Sequence, residues 1–168
     1  MSEKIFITGN PGSGKSTLVM EIVEKLNLKV GGIITPEIKK QGKRIGFELI
    51  DVFTGKKTLL AYYGFKGPKI GRYGVNIKGI EKIGVKAIQN ALENPEIKLI
   101  VIDELGKMEL LSKEFEKVIE KVLFSNKNVL VVVHRHLANK YKDFGKLYFL
   151  KEKNREHIKN TVIGLLKK

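Results

Sequence analysis

The segment that most constrains the fold of this chain is a glycine-rich octapeptide that follows a short apolar run and opens an amphipathic helix. It fits the pattern G-x-x-x-x-G-K-[ST] in full, with residues Gly9, Asn10, Pro11, Gly12, Ser13, Gly14, Lys15 and Ser16. Residues 4–8 predict a buried strand before it, and residues 15–26 place their apolar side chains on one helical face after it. Because strand, loop and helix are the context that the pattern requires, a phosphate cradle is predicted here.

The residues of this loop have separate expected roles. Its glycines let successive backbone N–H groups converge on one anion, and the first helical turn adds free N–H groups and the positive end of the helix dipole. We expect Lys15 to reach the β- and γ-phosphates of a nucleotide and the Ser16 hydroxyl to coordinate Mg²⁺. Thr17 is expected at the α-phosphate, as in other proteins with this loop.

A second predicted strand delivers two carboxylates at its carboxyl end. Leu99 to Ile102 are apolar, and Asp103 and Glu104 follow. Ligands of open α/β sheets gather at this end of the strands. We therefore expect Asp103 to hold Mg²⁺ together with Ser16, usually through a water, and Glu104 to orient and deprotonate a water in line with the γ-phosphate.

The same acidic segment also fits the D-x-x-G pattern of signalling GTPases. Those proteins select guanine with an N-K-x-D sequence after a later strand. The one candidate in this chain, Asn126-Lys127-Asn128-Val129, lacks the Asp and precedes its strand, so a guanine-specific switch is disfavoured. The Asp-Glu pair indicates instead the branch of P-loop proteins that has a catalytic glutamate and an extra strand between the cradle strand and the acidic one.

Further charged residues are candidates for contacts with the nucleotide. Phosphoryl transfer benefits from an additional cation on the γ-phosphate, and Lys107 and Arg72 are the candidates; the alternative for both is a solvated charge. Asn154 and Arg155 open the last predicted helix and could border the base, or could be a helix cap and a surface charge.

Two histidines follow the predicted strand over residues 128–133. His134 could sense the γ-phosphate or lie on the surface. The spacing of His134 and His136 suggests a metal pair, but no third ligand is evident, so that hypothesis is disfavoured.

Apolar strands that alternate with amphipathic helices predict an α/β fold, a mostly parallel sheet with helices on both faces. Residues 38–51 predict a hairpin with its turn at Gln41-Gly42, and residues 31–62 an antiparallel extension of the sheet. Residues 63–78 are glycine-rich and aperiodic, which predicts a mobile loop. No linker divides the chain, so a single domain over residues 1–168 is expected.

Composition limits the partners. The 168 residues include no cysteine, which excludes disulfides, thiol nucleophiles and zinc-thiolate sites. No apolar run is long enough for a membrane span and no secretory signal opens the chain, so we expect a cytoplasmic protein without membrane contact, and a monomer. Its net charge of +14 attracts polyanions. Lys enrichment is also typical of heat-adapted proteins, but the ten Asn residues, which are heat-labile, weaken the hypothesis of heat adaptation.

The chain resembles the THEP-type nucleoside-triphosphate phosphatases over nearly its whole length. The resemblance rests on residues 9–16, on GGIITPE at 31–37 with GKRIGF at 42–47, on IDELGKMEL at 102–110 and on Asn154-Arg155. The family commonly has Ile where Leu105 stands, a conservative change. This resemblance implies a P-loop fold and Mg²⁺-dependent hydrolysis of ATP, GTP, CTP, UTP and TTP to diphosphate and phosphate with little base selectivity. It also implies that Asp103 takes the metal and Glu104 the water.

Two other functions remain open. A nucleotide or nucleoside kinase would have the same cradle, and residues 63–78 are where an acceptor could bind, but kinases often need a lid and several Arg clamps, and the four Arg residues are scattered. A nucleic-acid-binding protein that uses a nucleotide as a switch is suggested by the charge and by Tyr62, Tyr63, Phe65 and Tyr73, which stand among basic residues and could stack on bases.

Overall fold

The structure is a computed structural model that describes residues 2–167. Its ten strands form one large sheet. The ten strands are β1 (Lys4–Gly9), β2 (Val30–Ile34), β3 (Glu37–Lys40), β4 (Lys43–Asp51), β5 (Lys57–Tyr63), β6 (Lys69–Ile70), β7 (Tyr73–Val75), β8 (Leu99–Leu105), β9 (Asn128–Val133) and β10 (Lys146–Leu150). Their order across the sheet is β10-β1-β9-β8-β2-β4-β5-β7-β6, and β3 pairs with β4.

The connections carry the helices. The α-helices are α1 (Lys15–Leu26), α2 (Ile77–Gly79), α3 (Lys86–Glu93), α4 (Lys113–Leu123), α5 (Ala138–Tyr141) and α6 (Arg155–Leu166). A π-helical turn, Ile80–Val85, joins α2 to α3, and short 3₁₀ turns are formed by Glu109–Leu111, Arg135–Leu137, Lys142–Phe144 and Glu152–Asn154. Ser112 caps α4, since its hydroxyl accepts the Phe115 N–H at 3.1 Å. Within residues 2–167, no helix combines the length and apolarity needed to cross a bilayer.

The parallel half of the sheet is buried on both faces. Strands β10, β1, β9, β8 and β2 run parallel to their neighbours. Ile5 and Ile7 of β1 belong to the core that includes residues of α1 and α6, whereas Phe6 belongs to the core that includes residues of α3 and α4. Successive residues of a strand point to opposite faces, so an uninterrupted apolar run is what such a strand needs. The predicted α/β sheet is confirmed, including the extra strand, β9, between β1 and β8.

This topology brings three loops to one edge of the sheet. Because parallel strands end on the same side, the phosphate loop after β1, the acidic residues at the end of β8 and the segment after β9 all lie at the carboxyl edge. Lys127, by contrast, precedes β9, and its ammonium donates to the carbonyls of Asn94 at 2.7 Å and Ile97 at 2.6 Å. Lys127 therefore lies at the opposite edge of the sheet, away from the phosphate loop.

The antiparallel extension begins where β4 pairs with β2, Ile34 opposite Ile50. The predicted hairpin turn is confirmed: Gln41 has φ 52° and Gly42 φ 77°, the pair of left-handed conformations that a two-residue turn needs to match the strand twist. Gly32 has φ 114°, and a Cβ there would lie 1.9 Å from the Val101 carbonyl oxygen, so only glycine lets β2 approach β8 this closely.

The prediction of a loop over residues 63–78 is wrong in part. This segment contains β6, β7 and the start of α2, and β7 pairs antiparallel with β5, Tyr63 opposite Tyr73. Arg72 lies in the turn between β6 and β7 and is exposed. Strands of two and three residues are too short to produce a periodic sequence signal, and pairing with a distant strand stabilises them instead.

Candidate functional site

The phosphate loop joins β1 to α1 through backbone conformations that glycine allows. Gly14 caps α1 with φ 85°, and the Ser13 N–H donates to the Asn10 carbonyl at 3.1 Å. The Lys15 ammonium lies across the loop and donates to the carbonyls of Gly9 at 3.1 Å and Asn10 at 3.4 Å. A flexible cation and the free N–H groups of a helix start therefore share one concave surface, which suits a polyanion.

Two oxygen donors meet beside this loop. The Ser16 hydroxyl, in the first turn of α1, donates to Asp103 Oδ1 at 3.0 Å, although 87 residues separate the two in the chain. Asp103 is 7% exposed, and burial raises the pKa of its carboxyl while the Ser16 hydrogen bond and the charge of Lys15 oppose the shift. A hydroxyl and a carboxylate in contact beside a phosphate site are the hard ligands that Mg²⁺ takes in such sites.

Glu104 is held by a residue that the sequence did not indicate. Its backbone N–H donates to Thr35 Oγ1 at 3.0 Å, and the Thr35 hydroxyl donates to the Asp103 carbonyl at 3.1 Å. The peptide bond between Asp103 and Glu104 is cis. Burial raises the pKa of Glu104, an effect that the Lys15 charge opposes and the Asp103 charge strengthens. A carboxylate with a raised pKa is a better proton acceptor than an ordinary one.

These residues line a single cavity of about 830 Å³. Lys107 and His134, both predicted near the γ-phosphate, are part of its wall, whereas Arg72 is not among the lining residues. Burial lowers the pKa of His134, and the positive charges of neighbouring groups, Lys15 among them, add to the effect. Its Nδ1 accepts the His136 N–H at 3.3 Å, and the two rings stack with centroids 5.0 Å apart.

Asn154 and Arg155, predicted to border the base, are not among the residues that line this cavity. Arg155 donates through Nη1 to the Gly14 carbonyl and through Nη2 to Glu21 Oε2, both at 3.2 Å, so it ties the start of α6 to the phosphate loop and α1. The Asn154 amide donates to the Phe149 carbonyl at 2.9 Å. Arg155 therefore supports the loop, whereas Asn154 stabilises the connection between β10 and α6.

Two arginines for which the sequence predicted no role also reach the cavity. Arg135 donates from Nη1 to Asn10 Oδ1 at 3.2 Å, and Arg44 enters from β4 in the antiparallel extension. Neither stands at a fixed spacing from the phosphate loop, because each depends on how distant strands pair. Arg44 belongs to the segment GKRIGF at 42–47 that carries the family resemblance, but that segment assigned it no role, and no motif covers Arg135.

Glu109 is a buried carboxyl in the wall of the same cavity. It is 4% exposed, and a Cβ at Gly106 would lie 3.4 Å from Glu109 Oε1 and 3.6 Å from Glu104 Oε1. Burial raises the pKa of Glu109 to about 8; the negative charges of Glu104 and Asp103 add to this, while backbone N–H groups of Glu109 and Gly106 oppose it. Burial beside Glu104 thus favours the protonated form of the Glu109 carboxyl.

We expect Glu109→Gln to flatten the pH dependence of stability. Between its ordinary pKa of 4.5 and about 8, Glu109 is protonated in the folded chain and ionised in the unfolded chain. The folded state then binds the extra proton, so this group lowers the free energy of unfolding as pH rises, by up to ~1.4 kcal/mol per pH unit. Urea unfolding at several pH values between 5 and 8, without Mg²⁺ or nucleotide, measures this slope.

The control is Glu114→Gln, which changes an exposed carboxyl in the first turn of α4. It should keep the slope of the unchanged protein. Equal slopes for Glu109→Gln and the unchanged protein would contradict the assignment of a protonated Glu109.

Comparison with known proteins identifies the family. The protein-family model described as NTPase matches residues 4–163. Nucleoside-triphosphatase THEP1 of Methanocaldococcus jannaschii is 46% identical over 164 residues, which cover 96% of this chain and 95% of that protein.

Two solved structures extend the similarity to the fold. The crystal structure of THEP1 from the hyperthermophile Aquifex aeolicus has a TM-score of 0.84 at 32% identity and covers 98% of this chain and 99% of its own. The solution structure of a human cancer-related nucleoside triphosphatase has a TM-score of 0.79 at 26% identity, with 99% and 98% covered. The chain belongs to the THEP1-type nucleoside-triphosphatase family and is an enzyme of the hydrolase class.

Proposed function

We propose that this enzyme hydrolyses ATP, GTP, CTP, UTP and TTP to the nucleoside diphosphate and phosphate, with Mg²⁺ and with little selectivity for the base, as a single domain. The observation that carries the proposal is the contact between Ser16 Oγ and Asp103 Oδ1 at 3.0 Å, with Lys15 and Glu104 lining the same cavity. Low base selectivity is supported by the position of Lys127, whose ammonium binds carbonyls at the other edge of the sheet.

The residues present suit a magnesium ion. Ser16 and Asp103 offer a hydroxyl and a carboxylate oxygen next to the phosphate loop, and Mg²⁺ sites of nucleotide enzymes are completed by substrate phosphates and water. When bound, Mg²⁺ would neutralise charge on the β- and γ-phosphate oxygens. The protein's part is to supply these two ligands and to keep Asp103 in a buried position.

Three side chains would act on the terminal phosphate and on water. Lys15 is long enough to leave the loop carbonyls and bind β- and γ-phosphate oxygens, where its charge offsets that of the transition state. Lys107 in the cavity wall would add a second positive charge. Glu104 would accept a proton from the attacking water as the bond between the γ-phosphorus and the bridging oxygen breaks, and the diphosphate leaves with that oxygen.

The test is a panel of nucleoside triphosphates incubated with Mg²⁺ or with EDTA, with the products separated. We expect diphosphate and phosphate in equal amounts from all five triphosphates, and no products with EDTA. Strong preference for one base, or hydrolysis that EDTA does not stop, would contradict the proposal. The panel is repeated with added nucleosides, since a triphosphate that disappears faster with one nucleoside, which becomes phosphorylated, would indicate a kinase instead.

A further inference from the structure

The cavity continues beyond Glu104 to the antiparallel extension. In the strand order, β1 with the phosphate loop lies two strands from β8 on one side, and β4 lies two strands from β8 on the other. Neighbouring strands are ~4.8 Å apart, so β4 is roughly 10 Å from the acidic strand. Arg44, Phe47, Ile70 and Tyr73, which we call the aromatic wall, line the cavity on that side.

The aromatic wall holds its guanidinium in one place. Arg44 Nε donates to Tyr73 Oη at 3.0 Å, and its Nη1 donates to Glu37 Oε1 at 3.4 Å. The Arg44 Cζ lies 5.3 Å from the centroid of the Phe47 ring, and the Phe47 and Tyr73 rings meet edge to face at 5.3 Å. A cation fixed by three neighbours loses little freedom when it binds a ligand.

Arg44 still has donors to offer. Among residues 2–167 its hydrogen bonds use two of the guanidinium's five N–H groups. Lys39 lines the same part of the cavity, and its ammonium lies 3.8 Å from the Glu37 carboxylate. Two cations therefore share one anion, which leaves a net positive charge beside two aromatic rings.

We propose that the aromatic wall is a second ligand site, which takes a planar aromatic compound with an anionic group; a nucleoside monophosphate has this chemistry. The ring would pack on Phe47 and Tyr73, and the phosphate would bind Arg44 and Lys39. The inference rests on the proposed function, in which the triphosphate occupies the phosphate loop and its terminal phosphate lies at Glu104. At about 830 Å³ the cavity is near the upper end of the ~300–1,000 Å³ typical of small-molecule sites.

The test titrates AMP into protein that is saturated with Mg²⁺ and a non-hydrolysable triphosphate analogue. One AMP per chain should bind without displacing the analogue. Adenosine alone and inorganic phosphate alone should each bind at least tenfold more weakly, because each meets half of the site. AMP that binds only by displacing the analogue, or phosphate that binds as tightly as AMP, would overturn the proposal.

Three variants locate the site. Arg44→Gln should weaken AMP binding about 10- to 100-fold, since it removes charge-assisted hydrogen bonds, and Tyr73→Leu about tenfold, since it removes a stacking surface. Lys43→Gln is the matched control, because Lys43 precedes Arg44 on β4, is exposed and does not line the cavity. It should bind AMP as the unchanged protein does, and circular dichroism checks that all three variants fold.

The analogue distinguishes the new site from the nucleotide's own base. Arg44→Gln and Tyr73→Leu should bind the analogue normally. If Tyr73→Leu weakens analogue binding as much as it weakens AMP binding, the base of the triphosphate occupies the aromatic wall and the proposal is wrong.

A second titration uses Lys15→Ala without analogue. This variant should still bind AMP, and the double variant Lys15→Ala with Arg44→Gln should not. That result would support the second site even if the protein hydrolysed no triphosphate, so the two proposals can fail independently.

Discussion

Glu104→Gln should slow phosphate release by about 10²–10⁴-fold, the contribution typical of a general base. Glutamine keeps the size of the side chain and can still hydrogen-bond a water, but it cannot take the proton that the water must lose. The backbone at this position is held by the Thr35 hydroxyl, so the substitution leaves the local chain in place. Single-turnover hydrolysis of ATP with enzyme in excess measures the chemical step without product release.

Binding separates this role from a structural one. A non-hydrolysable triphosphate analogue should bind Glu104→Gln within about threefold of its normal affinity, because the contacts of the phosphate loop are untouched. Glu96→Gln removes an exposed carboxyl outside the cavity and should hydrolyse ATP normally. If Glu104→Gln released phosphate at an undiminished rate while binding was intact, another group would have to activate the water.

Lys15→Ala should lose both binding and turnover. Removing a charge-assisted contact with phosphate costs about 1.5–3 kcal/mol, which corresponds to a Kd about 10- to 100-fold higher. The rate constant for hydrolysis of bound ATP should fall by a further ~10²–10³-fold, because charge that develops in the transition state is no longer offset. Titration with the analogue gives the first effect, and single-turnover hydrolysis at saturating enzyme gives the second.

The same helix supplies the control for this variant. Lys25→Ala removes an exposed ammonium from the last turn of α1 without touching the loop, and it should behave as the unchanged protein. Within residues 2–167 the Lys15 ammonium hydrogen-bonds only carbonyls of its own loop, so its loss should leave the free energy of unfolding nearly unchanged. A variant that kept its affinity for the analogue would contradict the phosphate role of Lys15.

Local features of the fold could be predicted because each has a local cause. The phosphate loop needs glycines and a helix start within eight residues, and the turn at Gln41-Gly42 needs two adjacent left-handed residues. Ser112 caps α4 through a hydrogen bond three residues along the chain. The continuous apolar runs of β1, β8 and β9 predict strands that are buried on both faces, and the structure buries them so.

The site could be predicted only where a motif names its residues. Asp103 and Glu104 stand at the carboxyl end of β8, and Ser16 opens the helix that follows β1, so any parallel order of β1 and β8 brings the three residues to the same edge. Arg72 was a candidate because it lies in the glycine-rich segment; in the structure it is exposed and does not line the cavity, whereas Arg44 of β4 does. Thr35 was missed because its hydrogen bonds depend on the pairing of β2 with β8.

The amino-acid sequence by itself determined the longer strands and helices, the parallel arrangement of the sheet and the type of chemistry, since strand periodicity and the phosphate loop depend on neighbouring residues. Tertiary structure alone decided which charged side chains share the cavity. Burial that comes from several elements raises the pKa of Glu109, and β4 and β7 meet through pairing with β5, which places Arg44 on Tyr73. Desolvation and contacts between distant strands are properties of the packed chain, and no short stretch of sequence encodes them.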